Sequence, residues 1–248
     1  MVNWYGVSKA EVEELETLDR ILSRNILRLP RSTPTEFLYL ETGCLNIGTI
    51  LKMRRINYLQ YLLKSDEEKM LSQFFKTQLS FPVKDDWTEQ VKMDLEDFQI
   101  GNNLDWIKSK SKNSFKRLVK KRANKYALKL FNVQKSSHSK LDNLYYDELK
   151  MQNHLVSKDI SVNQVQILMK YRSRMADYHK NYQGKEILKR CILCPNHFDN
   201  QEDIFTCDYN KEKLTMVGDY EDLFQERIKP EFIRTLEKIN KLRENKLR

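Results

Sequence analysis

Glycine and proline are scarce, with six and five in 248 residues, against usual shares of about 7% and 5%. Tight hairpins depend on such residues, so a fold built of many short strands is not expected. Abundant Leu, Lys, Glu and Ile predict long helices instead. No apolar run approaches the roughly 18 residues of a membrane-spanning helix, and the first thirty residues lack an apolar signal core. Of the four cysteines, three fall within residues 191–207, a pattern of metal ligation in a reducing compartment rather than a disulfide framework. No glycine-rich phosphate loop is present. His138, His154 and His179 stand isolated in the sequence, and no Ser/His/Asp set can be argued from them. These absences predict an intracellular protein, nuclear or cytoplasmic, with no membrane partner.

Acidic residues are missing from one long segment. Between Lys108 and Lys140 there are twelve Lys or Arg and no Asp or Glu. The whole chain carries +9, so everything outside this segment nets −3. A solvated helix face usually mixes signs, because Glu–Lys pairs four apart add about 0.2–0.5 kcal/mol each. A face of one sign gives up those pairs and adds repulsion that a polyanion relieves. The candidate nucleic-acid contacts are Lys108, Lys110, Lys112, Lys116, Arg117, Lys120, Lys121, Lys125 and Lys129. The other readings of this block are a plain solvated face or a surface for acidic lipid or protein. Nothing in it reads base sequence, so binding to RNA or DNA backbone is expected to be largely sequence-independent. Arg20, Arg24 and Arg28, four apart on one helix line, are a weaker second set.

Helix signals run along the whole chain. Ser8 and Glu11 form a capping box ahead of Val12, Leu15, Leu18, Leu22, Ile26 and Leu29, which recur at helical spacing until Pro30. "STPTEFLYLETG" predicts a short helix with Pro34 in its first turn and Gly43 as its stop. Asn46 is the expected cap of a third helix, and "DEEKMLSQFFKTQL" makes a fourth. Asp86 caps a fifth that turns Trp87, Val91, Leu95 and Phe98 inward; capping outweighs a metal-binding role for the Asp85–Asp86 pair. Phe115, Leu118, Val119, Ala123, Tyr126, Ala127 and Leu130 form the apolar face of the basic helix. Ser161 and Gln164 box another helix reaching about Met175, and Pro230 opens the last. Cys44 is expected to be a small core residue, while Tyr145, Tyr146, Tyr171 and Tyr178 could anchor a partner. The expectation is an all-α fold, an irregular multi-helix array with a small zinc-knuckle-like loop near the C-terminus. Its divisions are 1–100, 101–185 and 186–248, with Gly101-Asn102-Asn103 at the first boundary.

Cys191 and Cys194 have the C-x2-C spacing that lets a tight turn present both sulfurs to one metal, and Cys207 returns as a third. The expected cofactor is a structural Zn2+. Its fourth corner is a nitrogen, an oxygen or water. His197 lies only three residues past Cys194, and Asp203 stands one helical turn before Cys207. A catalytic zinc would need an open position and a placed base, and Glu202 alone does not supply that case.

"NWYGVSKAEVEELETLDRILSRNIL", "PRSTPTEFLYLETG", "RRINYLQYLL", "SFKRLVKKRANKYAL" and "CILCPNHFDNQEDIFTC" together resemble the region that follows the polymerase palm in reverse transcriptases of non-LTR, LINE-like retrotransposons. The resemblance spans essentially the whole chain. It implies thumb-like helices followed by a zinc knuckle, gripping template, primer or target, on a longer parent chain whose palm is a partner of this region. The palm strands and catalytic aspartates are absent here, so no polymerase activity is expected of this chain alone. In such elements the knuckle carries His four residues before its last Cys, where this sequence has Asp203. The resemblance therefore implies Cys191, Cys194 and Cys207, with His197 preferred to Asp203. A different reading is an all-helical protein–protein module with a structural zinc.

Overall fold

The computed structural model describes residues 8–66, 68–81, 83, 86–178, 190–215 and 218–247. His179 and Asp85 lie outside that set. Among the described residues the chain is all-helical. The α-helices are α1 (Lys9–Leu27), α2 (Thr35–Thr42), α3 (Ile47–Lys64), α4 (Met70–Ser80), α5 (Trp87–Asp97), α6 (Leu104–Ser109), α7 (Lys112–Lys135), α8 (Asn153–Val156), α9 (Val162–Arg172), α10 (Asp208–Lys213) and α11 (Pro230–Leu247). Short 3-10 turns occur at Ser139–Leu141, Asp203–Phe205 and Glu221–Phe224. Among the described residues the one β feature is an antiparallel bridge between Arg190 and Phe198. No helix of the described residues is long and apolar enough to cross a membrane.

Local chemistry sets the helix ends. Ser8 N donates to Glu11 Oε2 at 2.7 Å and Glu11 N to Ser8 Oγ at 3.2 Å, the reciprocal box that opens α1. Asp86 Oδ1 accepts from Glu89 N at 2.8 Å to open α5, and Ser161 with Gln164 closes the same kind of box on α9. At α3 the capping comes from another helix. Glu16 Oε1 accepts from Gly48 N at 3.0 Å and from Asn46 Nδ2 at 2.9 Å, satisfying a backbone donor of the first turn. Gly43 ends α2 at φ 67°. A Cβ there would stand 2.3 Å from the backbone of Lys150 and Met151, so both torsion and space demand glycine.

By its contacts the chain divides into two compact units. The first takes in the chain through Asp19, then Cys44–Phe131 and Asp147–Leu149; the second holds Arg20–Gly43, Asn132–Tyr146 and Lys150 onward. In the first, α3 packs against α4, α5 and α6. Its core joins Ile56, Leu59, Phe75, Trp87, Val91, Leu95, Phe98, Ile107, Phe115 and Val119. Gly101, at φ 79°, turns the chain between α5 and α6 inside this unit. Cys44, expected in a core, is exposed; it follows immediately on the Gly43 turn, where the chain swings out before α3. In the second unit α9 packs against α11 and the Glu221–Phe224 turn, around Leu168, Tyr171, Tyr178, Phe205, Phe232, Ile233 and Leu236. Three of the four tyrosines offered as partner anchors are core residues here: Tyr146, Tyr171 and Tyr178 are at most 5% exposed. Tyr171 and Tyr178 bond to each other through their hydroxyls at 2.9 Å, so only Tyr145 is on the surface.

The second unit is tied together by a buried charge. Glu41, the last core-facing residue of α2, is wholly inaccessible. Arg172 at the end of α9 donates to its Oε1 through Nε at 2.8 Å, and the Tyr146 hydroxyl donates to the same oxygen at 2.5 Å. Arg172 spends another donor on the Leu223 carbonyl, and Gln152 N donates to the Glu41 carbonyl at 2.9 Å. His154 Nε2 approaches Glu41 Oε2 at 2.9 Å. That approach lies off the hydrogen-bonding axis, and neither ring nitrogen of His154 finds an aligned partner. Neither His154 nor His138 is isolated in space: His138 Nε2 is 3.3 Å from Glu36. Burial alone would push the Glu41 pKa up; the Arg172 charge and the neighbouring donors outweigh it and hold the carboxyl at about 2.

The sign of the pH dependence follows. A carboxyl with a folded pKa below its ordinary 4.5 stabilises the fold above that ordinary value, and the contribution is lost as pH falls toward about 2. Denaturant melts from pH 7 to pH 2 are expected to lose roughly 3 kcal/mol through this group. Glu41→Gln should cost about 3–5 kcal/mol at pH 7, by leaving Arg172 buried without its counter-ion. It should also flatten the acid limb, and an unchanged limb in the variant would contradict the assignment.

Candidate nucleic-acid interface and metal centre

Helix α7 begins where Ser111 Oγ accepts from Ser114 N at 3.3 Å. Its residues fall into rows four apart, each step rising about 6 Å along the axis. Phe115, Val119, Ala123, Ala127 and Phe131 form the buried row. On the outer side, Lys112, Lys116 and Lys120 form one exposed row, and Arg117, Lys121, Lys125 and Lys129 form the next. Seven cations therefore share adjacent rows of one helix. Among the described residues none of the seven is in a salt bridge, and neither is exposed Lys108 on α6. Two acids of α5 are engaged by α3. Arg55 binds Asp94 through two nitrogens at 2.7 and 3.0 Å, and Lys52 pairs with Asp97.

The remaining members of the charge block are used differently. Lys110 is half-buried, with its ammonium 4.9 Å from the Trp106 ring centroid, and Arg122 is half-buried. Lys135 Nζ turns onto the carbonyls of Leu144 and Leu141, securing the Ser139–Leu141 turn. Lys140 is half-buried, and burial pushes its pKa down. The arginine line of α1 does not form an outward row. Arg24 donates to the Thr33 carbonyl at 3.2 and 2.7 Å, and Arg20 is half-buried. Arg28 lies past the helix end at φ 49°, exposed.

In the cysteine loop, Cys191 N donates to the His197 carbonyl at 2.9 Å beside the Arg190–Phe198 bridge. The bridge folds His197 back over the thiols, a reversal that a gap of three residues did not suggest. Its Nδ1 lies 3.3 Å from Cys194 Sγ. Cys207 Sγ is 3.3 Å from Cys194 Sγ, and the three sulfurs all lie within 4.8 Å of one another. Zinc–thiolate bonds of about 2.3 Å in a tetrahedron set sulfurs about 3.8 Å apart, so small adjustments would close these thiols on one ion. The Cys191 sulfur also accepts from Leu193 N at 3.4 Å. Burial raises the Cys194 thiol, but donors from His197, Cys207 and nearby amides overcome it and bring its pKa down. Burial pushes Cys207 up. Of these two thiols, Cys194 gives up its proton the more readily.

Asp203 is occupied elsewhere. It begins a 3-10 turn rather than an α-helical one, and its Oδ2 accepts from Phe198 N at 3.2 Å and Asn200 Nδ2 at 2.8 Å. The loop is anchored from outside by Gln201 Nε2 on the Tyr171 carbonyl at 2.7 Å and by Arg243 on Asp199 at 2.7 Å. The geometry makes Cys191, Cys194 and Cys207 a possible metal-ion set. The Glu41 centre was not anticipated from sequence, although a carboxylate ending the run Phe37-Leu38-Tyr39-Leu40 was its signal.

No protein-family model, no curated protein and no solved structure matches the chain.

Cobalt(II) added to the reduced protein should produce a thiolate-to-metal absorption band that saturates at one equivalent per chain. Cys207→Ala should weaken both the band and the affinity, and a titration indifferent to that change would rule the set out.

Proposed function

We propose that the protein is a non-catalytic nucleic-acid-binding chain that grips RNA or DNA backbone through the outer rows of α7. One observation carries the reading: seven exposed cations on adjacent rows, unpaired among the described residues. Repulsion within such a face is relieved when phosphates replace its counterions. Two neighbouring rows of Lys and Arg make no pattern of base-reading side chains, which supports backbone contact over sequence readout. The resemblance to the post-palm region of non-LTR reverse transcriptases supports the same reading, with this chain as a gripping region and not as a polymerase.

Neutralising about six phosphates gives a log–log salt slope near −5 on B-DNA. Affinity is therefore expected to fall steeply between about 50 and 200 mM salt. Lys116→Glu, Lys120→Glu and Lys121→Glu together should abolish most binding and leave the melting temperature nearly unchanged, since all three side chains are solvated. Flat salt dependence, or full binding by the triple variant, would defeat the proposal.

The metal, on this reading, is structural zinc held by Cys191, Cys194, Cys207 and His197. The closeness of His197 Nδ1 to Cys194 and the engagement of Asp203 with Asn200 both support that choice. His197→Ala should weaken zinc retention against a chelator by at least about 10-fold, since disturbing even the groups that orient a site's ligands typically costs about 10–100-fold. Asp203→Asn should retain the metal while loosening the 198–203 turn. The reverse ranking would hand the fourth corner to Asp203.

A further inference from the structure

Helix α1 is turned inside out. Its half-buried positions are largely polar, among them Glu16, Asp19, Arg20 and Arg24, and no residue of the helix is buried. Its apolar stripe faces outward: Leu15, Leu18, Ile21, Leu22 and Ile26 are 41%, 63%, 49%, 58% and 67% exposed. Polar contacts fix this orientation, since Glu16 caps α3 and Arg24 holds the Thr33 carbonyl. Five large apolar side chains on a single helix are a surface that water disfavours.

Charge identifies what covers it. From Glu11 to Asp19 the helix carries five acids and no base, and from Arg20 to Arg28 three arginines and no acid. Glu16 and Arg24 are turned inward, but Glu14 and Arg28 are exposed; a parallel pair of such helices would set each of these beside its like, whereas an antiparallel pair sets Glu14 against Arg28. We propose that α1 pairs antiparallel with α1 of a second copy of this chain, about a twofold axis beside Ile21. That axis sets Leu15 of one copy on Ile26 of the other. Glu14, exposed at one end, then comes within a helical turn of exposed Arg28 at the other. The contact is isologous, so it closes at two copies and does not propagate. The seam from Leu15 to Ile26 spans only about 17 Å, so the dimer is weak and dissociates on dilution.

Sedimentation equilibrium on the full chain, without nucleic acid, tests the pairing. The mass is expected to rise with concentration toward twice the 29.8 kDa of the chain. Leu18→Glu with Leu22→Glu should hold it at the single-chain mass, with helicity and melting temperature unchanged. Glu14→Arg alone and Arg28→Glu alone should each weaken the dimer, and the two together should restore it; a parallel pair would not respond this way. A single-chain mass at every concentration overturns the proposal. So does a dimer indifferent to the leucine changes, which would place the contact elsewhere, or one indifferent to the single charge swaps.

Discussion

A carboxylate with no access to water ties four segments of the second unit together. Glu41 remains ionised there because Arg172 is buried with it and Tyr146 donates to it, and Arg172 is satisfied because its other donors reach the Leu223 and Gln225 carbonyls. Each partner makes the other tolerable, so α2, the Tyr146 segment, α9 and the Glu221–Phe224 turn are fixed together. An apolar replacement of the same volume could be as stable. What the ion pair adds is direction: a guanidinium fork and a carboxylate meet in few geometries, whereas leucines meet in many. Gly43 belongs to the same constraint. Its left-handed turn lets the chain leave α2 beside Lys150 without a Cβ in the way, while the Glu41 carbonyl takes Gln152 N.

The first unit is built on the opposite principle. Its core is apolar and continuous, and the one buried carboxylate paired to a cation among its described residues, Asp94 under Arg55, lies beside that core rather than joining distant segments. Asp94 and Asp97 on α5 are paired with Arg55 and Lys52 of α3. On α7, two rows of cations face solvent with no salt bridge among the described residues. A helix that needed only solubility would mix signs along those rows and gain the i,i+4 pairs it forgoes. That forgone stabilisation is the physical ground for reading the face as a binding surface.

Sequence periodicity located most helices because their signals are local. Ser8–Glu11, Asp86–Glu89 and Ser161–Gln164 are self-contained boxes, and each opens a helix where expected. The failures are all cases in which the third dimension decides. The stripe of α1 has helical spacing, but spacing does not say which side of a helix meets the core. Glu16 and Arg24 found partners across the chain and turned the helix around. Tyr146, Tyr171 and Tyr178 look like surface anchors in sequence, yet each has a buried partner for its hydroxyl that only the fold supplies. The return of His197 to Cys194 likewise rests on a bridge, between Arg190 and Phe198, that joins residues eight apart and follows no helical or strand period.

That bridge also bears on why the loop would need a metal. Residues 199–201 bury Asp199, Asn200 and Gln201, and the small cluster around the thiols holds little beyond Leu193, Ile192, Tyr209 and Leu242. So small an apolar cluster cannot offset the entropy of ordering the loop, and short segments in that position are usually stapled by a disulfide or an ion. A disulfide between Cys194 and Cys207 would leave Cys191 and His197 without a role. One ion would use all four, and it would join the start of the loop to its end at the point where α10 begins. The external bonds from Gln201 to Tyr171 and from Asp199 to Arg243 then set where the closed loop sits on α9 and α11. On this argument the proposed zinc shapes the knuckle, and the protein's own hydrogen bonds position it.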